Sequence, residues 1–169
     1  MFTRVRLFFI FVLIFFISSI LYFIFVSGFF RSDLGESRVL VGGVNGSEVV
    51  EFLSDFGVAA EGARVDGKPI IVFFTLSGNE NCERSFELFR NKEIQRLSKH
   101  FICVVVDGVS SDSVCELYKV SAFPTVLILD TEGKEIQRLT GKETKEEQLT
   151  IQMHIAIQLA TNANKSKIR

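Results

Sequence analysis

The sequence predicts an α/β fold, a mixed β-sheet with helices on both faces, preceded by one N-terminal transmembrane helix. Two observations predict the sheet: short apolar runs alternate with amphipathic stretches, and a turn at Glu132-Gly133 joins the last two runs as a hairpin. The third observation is that residues 7–30 contain no charged side chain. The predicted organisation is an anchor (1–30), a tether with a short helix (31–57), an α/β domain (58–162) and a flexible tail (163–169).

Residues 7–30 are long enough to cross a membrane. A helix of this length extends about 36 Å at 1.5 Å per residue, and a hydrocarbon core is about 30 Å thick. A cleaved signal peptide is the alternative, but the apolar run is too long and no small-residue cleavage site follows it. Arg4 and Arg6 precede the span, which favours a cytoplasmic N terminus and an extracytoplasmic domain, periplasmic in a bacterium.

Composition excludes several classes of function. The chain has 169 residues and a formal net charge of −1, so nothing favours binding to nucleic acid. Three cysteines and two histidines at long spacings argue against a disulfide framework and against a zinc site. We expect neither a metal nor a cofactor.

The first soluble elements are predicted from short patterns. Residues 38–44 form either an edge strand or part of the tether. Residues 47–56 predict a short amphipathic helix, because apolar side chains recur there at helical spacing, with Ser47 as its N-cap. Residues 59–65 predict one or two further helical turns before Asp66-Gly67.

The central elements follow from apolar runs and their breaks. They are a strand at Ile70–Thr75, a helix from about 79 to 100, a strand at 101–106, a short helix at 114–118, strands at 125–130 and 135–139, and a last helix at 144–160. A right-handed crossover makes the first two of these strands parallel.

Six short pieces of sequence also stand in a characteristic order. They are Gly67-Lys68-Pro69, the strand Ile70–Thr75, residues 101–107 ending in aspartate, Tyr118-Lys119-Val120, Phe123-Pro124-Thr125 and Leu139-Thr140-Gly141. Together they resemble the thioredoxin-like superfamily, most closely the thioredoxin-like domain of bacterial thiol:disulfide interchange proteins. The resemblance covers roughly residues 59–159.

The resemblance implies a thioredoxin-like fold and a cis Phe123-Pro124 bond. In the family this proline lies against the active-site loop and helps to bind an extended peptide. The alternative is a trans proline at the first residue of a strand. The implied binding site for a protein or peptide partner comprises Gly78, Asn79, Glu80, Asn81, Phe123, Pro124 and Thr125.

Three positions depart from the family pattern. When residues 68–82 are aligned with the family's strand and C-x-x-C motif, the second cysteine falls on Cys82 and the first on Asn79. The tryptophan before the motif falls on Gly78, and the buried acid of the strand falls on Phe73. Dithiol exchange needs one thiolate to attack and a second thiol to resolve the mixed disulfide, and Asn79 has no sulfur.

Cys82 is the remaining candidate catalytic residue. The start of a helix favours the reactive thiolate, whereas Glu80 and Glu83 disfavour it. Alternatively, Cys82 is a small buried side chain. Asn79 is a strong N-cap residue, and Ser77 with Glu80 offers a rival capping box.

The other cysteines and the histidines are assigned no chemistry. Cys103 lies inside a predicted strand and Cys115 inside a short helix, so both are predicted to be small core residues. Any pairing among the three cysteines is left open, because it depends on Cα separations. His100 and His154 have no neighbouring cluster of ligands in the sequence.

Two functional hypotheses follow, with a third as background. The first is a membrane-tethered thioredoxin-fold module without dithiol activity, which binds a protein or peptide at the corner of Cys82 and Pro124. The second is a monothiol thiol–disulfide oxidoreductase that uses Cys82. The third is a purely structural domain within a larger membrane complex.

Overall fold

The computed structural model describes residues 38–42 and 49–167. The predicted transmembrane segment, residues 7–30, lies outside the described residues, as does Ser47. Within the described ranges, no helix is both long and apolar enough to span a membrane.

Six strands in the described part form one mixed sheet. They are β1 (Arg38–Gly42), β2 (Val49–Leu53), β3 (Ile70–Thr75), β4 (Ile102–Asp107), β5 (Thr125–Leu129) and β6 (Glu135–Thr140). Their order is β1-β2-β4-β3-β5-β6. Strand β3 pairs in parallel with β4, as the crossover predicted, and antiparallel with β5. Strands β5 and β6 form the predicted antiparallel hairpin.

Five α-helices in the same ranges cover the two faces of this sheet. They are α1 (Phe56–Asp66), α2 (Glu80–Phe86), α3 (Lys92–Ser98), α4 (Asp112–Leu117) and α5 (Glu146–Lys167). Short 3-10 turns at Glu87–Arg90 and Gly141–Glu143 complete the described elements.

Strand β3 is a continuous apolar run because both of its faces are buried. Ile71 and Phe73 point into one core with side chains of α3 and α5, including Ile94 and Met153. The alternate side chains Ile70, Val72 and Phe74 point into a second core, which contains Ala59 and Ala63 of α1 and Cys115 of α4. The strand therefore lies at the centre of the domain.

The predicted helix at 47–56 is wrong, since this segment contains β2. All five residues of β2 pair with β1, and its burial alternates, with Val50 and Phe52 buried and Val49 and Glu51 exposed. Strand pairing thus overrides the helical spacing of the apolar residues. The predicted tether 31–57 consequently contains two strands of the main sheet. Of residues 38–44, for which an edge strand or a tether was predicted, the described part, 38–42, is an edge strand.

Two helices begin or end at residues other than those that the sequence predicted. The helix predicted over 79–100 is interrupted at Asn91, whose extended backbone and side chain cap the start of α3. The capping carboxamide accepts hydrogen bonds from the backbone amides of Glu93 and Ile94. At the other end of the chain, α5 continues to Lys167, so residues 163–167 of the predicted flexible tail are helical.

Candidate functional site

The candidate site is a corner where the ends of β3 and β4 meet the start of β5. The backbone amide of Gly108 donates to the carbonyl of Thr75 at 2.8 Å, which joins the loops that follow the two parallel strands. The Ser77 hydroxyl donates to Asp107 Oδ2 at 2.6 Å and links the same two loops a second time. These bonds fix the loop that leads into α2.

Hydrogen bonds at this corner lower the pKa of Asp107. The largest cause is the hydroxyl of Ser77, and the backbone amide of Val109 contributes next. A carboxylate that accepts such bonds is stabilised in its charged form. Asp107 therefore favours the folded corner when it is ionised.

This depressed pKa predicts a pH dependence of stability. Above about pH 5 the contribution of Asp107 is fully present, and it is lost as the pH falls below about 4 through the folded-state pKa. Between pH 5 and pH 3, the melting temperature of Asp107→Asn is expected to fall less steeply than that of the wild type. Glu83→Gln serves as the control, and equal slopes for Asp107→Asn and the wild type would argue against the Ser77–Asp107 link.

Asn79 caps the start of helix α2. Its backbone is extended, and its side-chain oxygen accepts hydrogen bonds from the amides of Asn81 at 3.0 Å and Cys82 at 3.3 Å. The backbone of Gly78 has a φ of 75°, a left-handed conformation that favours glycine. Of the two capping arrangements open in the sequence, the described hydrogen bonds support Asn79 as the cap.

Cys82 lies beneath this loop and is 1% exposed. Cys103 and Cys115 are 4% and 5% exposed, and none of the three cysteines forms a disulfide. Burial raises the pKa of the Cys103 thiol to about 12, which suppresses its thiolate. Cys103 and Cys115 are therefore core residues, as predicted.

Phe73 belongs to a cluster of aromatic rings next to α2. Its ring centroid lies 5.1 Å from that of Phe86 and 5.9 Å from that of Phe89, and Phe52 packs against both of these rings. Phe73 is 1% exposed. The position at which the resemblance implies a buried acid therefore carries a buried aromatic side chain.

The start of β5 completes the corner beside the ends of β3 and β4. The Phe123-Pro124 bond is cis, as the resemblance implied. The Pro124 carbonyl accepts from the amide of Gly141 at 2.8 Å, and the Thr125 hydroxyl donates to the carbonyl of Ala122. Strand pairing places Thr125 opposite Phe74, so Pro124 stands beside the end of β3.

Sequence reasoning missed the contribution of the loop after β4. A Cβ atom built on Gly108 would stand 2.6 Å from Cε1 of Phe123 and 3.2 Å from Cδ2 of Leu76. Gly108 therefore admits the Phe123 ring next to Leu76. The aspartate-glycine pair that closes the strand was a signal of a turn, but not of this aromatic contact.

The remaining polar candidates give no second site. In the described part of the chain, no group of three or more histidine, cysteine or acidic side chains is arranged to hold a metal ion. His154 lies 3.6 Å from Glu93 on the surface, away from the corner. A surface cavity of about 470 Å³ lies elsewhere, between β2, α1 and the start of β4.

The chain is similar to known proteins at the level of family and fold. A model of the thioredoxin-like domain family matches residues 56–154. A search of curated protein sequences found no match.

Solved structures share the fold at low sequence identity. A DsbH oxidoreductase is 22% identical with a TM-score of 0.56, over 69% of this chain and 95% of that chain. A thioredoxin from Thermus thermophilus is 18% identical with a TM-score of 0.53, over 60% and 82% of the two chains. Thioredoxin NaTrxh from Nicotiana alata is 21% identical with a TM-score of 0.52, over 60% and 84%.

At these identities the structural likeness shows the fold alone, whereas the family model covers more than half of the 169 residues. The chain therefore belongs to the thioredoxin-like domain family.

Proposed function

We propose that the protein is a membrane-anchored thioredoxin-like module that binds an extended protein segment at this corner and does not carry out dithiol exchange. The proposal rests on the arrangement of Asn79 and Cys82 at the start of α2. The Asn79 side chain caps the helix, and the Cys82 thiol three residues later is only 1% exposed. Dithiol exchange requires an accessible thiolate at the first of these positions and a resolving thiol at the second.

The start of β5 supports the proposal that this corner binds an extended protein segment. The cis Pro124 is buried at the start of β5, and the preceding Phe123 is only partly buried. Within the described part, the backbone N–H and C=O of Phe123 make no hydrogen bond. Unpaired backbone groups at a strand end are suited to the main chain of an extended segment.

The membrane half of the proposal is supported by residues 7–30, which carry no charge. The arginines at positions 4 and 6 favour a cytoplasmic N terminus, which places the domain outside the cytoplasm. Protease treatment of sealed spheroplasts tests this topology. Digestion of the domain in intact spheroplasts is expected, and full protection of the domain would contradict the orientation.

Chemical modification of Cys82 distinguishes this proposal from a monothiol oxidoreductase. Because the side chain is buried, iodoacetamide is expected to modify Cys82 in the folded protein at least about a hundredfold more slowly than in urea. Peptide mapping by mass spectrometry separates its rate from those of Cys103 and Cys115. The variant Val109→Cys places a thiol on a side chain that is 79% exposed and serves as the reactive control.

An insulin-reduction assay on the full-length chain completes the test. The wild type is expected to show no turnover above the dithiothreitol background. Turnover that disappears in Cys82→Ser, together with rapid alkylation of Cys82 near neutral pH, would establish the monothiol enzyme and overturn the proposal.

A further inference from the structure

The cavity of about 470 Å³ lies where β2 and β4 diverge. Phe52 and Leu53 of β2 pair with β4, whereas Val49 and Val50 pair, among the described strands, with β1 alone. The space beside the first residues of β2 is bounded by α1 and by the start of β4. Its volume falls within the range of about 300–1,000 Å³ that is usual for small-molecule sites.

Apolar side chains form a large part of the cavity wall. Val58 of α1, Leu53 of β2, and Phe101 and Ile102 at the start of β4 all line it. Phe101 is buried, and the other three side chains are partly buried. An apolar ligand that contacts this wall is removed from water, which favours its binding.

Gly62 keeps the cavity open on the side of α1. It lines the cavity and lies inside the helix Phe56–Asp66, where glycine is less favourable than alanine. Its backbone does not have the positive φ that would favour glycine, and a Cβ atom built on it meets no other atom within 4 Å. Neither the backbone nor a close contact therefore requires glycine here, but a larger side chain would enter the cavity.

Charged side chains of both signs line the cavity. Arg38, Lys68 and Lys99 are the cations, and Glu51 and Asp66 are the carboxylates. Arg38 pairs with Glu51 at 2.6 Å. Lys68 is partly buried, and its ammonium group makes no ion pair with another described residue. Cations therefore outnumber carboxylates in this cavity, and Lys68 is available to an anionic group.

The Lys68 ammonium acts on the buried wall of the cavity. Burial raises the pKa of the Cys103 thiol, which also lines the cavity, and the Lys68 ammonium opposes this rise because it stabilises the thiolate. The same field would stabilise a carboxylate that entered the cavity. A positive charge beside apolar walls thus suits a ligand that combines one negative group with an apolar body.

We propose that this cavity binds a small organic carboxylate, whose charged group pairs with Lys68 and whose apolar body packs against Val58, Phe101 and Ile102. None of the residues that line the cavity belongs to the corner of Cys82 and Pro124. The proposal therefore does not rest on the peptide-binding function, and either can fail without the other.

Octanoate and octanamide are the probes that test the site, because they share an apolar chain and differ in charge. Equilibrium dialysis is performed at about pH 7.5 with the full-length chain in lipid nanodiscs, and empty nanodiscs measure partition into the lipid. Octanoate is expected to bind the protein about tenfold more tightly than octanamide, because only octanoate pairs with Lys68.

Two variants of α1 test whether the ligand occupies the cavity. Gly62→Leu is expected to weaken the binding of octanoate and of octanamide by about tenfold or more, with a melting temperature equal to or above that of the wild type. Val65→Leu is the control, because Val65 lies on the same helix, is 72% exposed and does not line the cavity. It should leave both affinities unchanged.

Two lysine variants test the charge. Lys68→Gln is expected to weaken the binding of octanoate about tenfold and to leave that of octanamide unchanged. Lys92→Gln removes a charge from an exposed position on α3 outside the cavity and should change neither affinity. This pair keeps the proposal testable if Gly62→Leu destabilises the domain.

Three results would overturn the proposal. The first is octanoate binding no greater than that of empty nanodiscs. The second is a folded Gly62→Leu variant that binds octanoate as tightly as the wild type, since the ligand would then lie elsewhere. The third is equal binding of octanoate by the wild type and Lys68→Gln.

Discussion

The variant Asn79→Cys is expected to acquire the thiol–disulfide exchange activity that the proposed function denies to the wild type. The new thiol would stand at the N-cap of α2, three residues before Cys82, at a position that is only partly buried. Its thiolate attacks a substrate disulfide and forms a mixed disulfide. Cys82 then displaces the reduced substrate and closes an internal disulfide, which dithiothreitol reduces in the next cycle.

The measurement is insulin reduction with dithiothreitol, where a rate about tenfold or more above the wild type is expected. Asn79→Ser retains a capping oxygen but adds no sulfur, so it should remain inactive. The double variant Asn79→Cys with Cys82→Ser should form a mixed disulfide without turnover. An inactive but folded Asn79→Cys would mean that the loop geometry, as well as the missing sulfur, prevents exchange.

The variant Phe73→Asp is expected to unfold or nearly unfold the domain, although the family resemblance implies an acid at this position. The carboxylate would be buried among the rings of Phe52, Phe86 and Phe89 with no partner. An unpaired buried charge and the lost ring together should lower the free energy of unfolding by more than about 4 kcal/mol.

Urea denaturation followed by circular dichroism measures this loss. Phe73→Leu is the matched control, because it keeps an apolar side chain and should cost about 1.5 kcal/mol. A loss below about 1 kcal/mol for Phe73→Asp would show that water or a polar group reaches the site. The aromatic cluster would then not explain the absence of the acid.

The central sheet could be predicted from the sequence because its signals are local. The run Ile70–Thr75 is apolar throughout, which requires burial on both faces, and the turn at Glu132-Gly133 fixes the next hairpin. The cis bond before Pro124 followed from the resemblance. These features depend on short stretches of chain, so no distant contact overrides them.

The N-terminal strands could not be predicted in the same way. The segment that contains β2 has helical spacing, and only its pairing with β1 and β4 selects the strand. The interruption at Asn91 was also missed, because a single capping side chain decides it within an otherwise amphipathic stretch. The spacing of apolar residues along the chain does not show which distant strands pair or which side chain caps a helix.

Local features of the candidate corner could be predicted, but not how they pack together. The sequence predicted a helix from about Asn79 and, through the resemblance, a cis bond before Pro124, and the structure has both. The sequence did not indicate that Gly108 makes room for the ring of Phe123, since these residues are 15 positions apart in the chain. The absence of a side chain at a glycine can be linked to a neighbouring ring only when the folded structure shows which residue packs there.

The cap at Asn79 has a consequence for how the corner responds to its surroundings. A dithiol site alternates between an oxidised and a reduced form, and its affinity for partners can change with each conversion. Here a carboxamide holds the start of α2, and it has no redox chemistry of its own. Under the proposed function, the corner is therefore a constitutive docking point, equally available in oxidising and in reducing compartments.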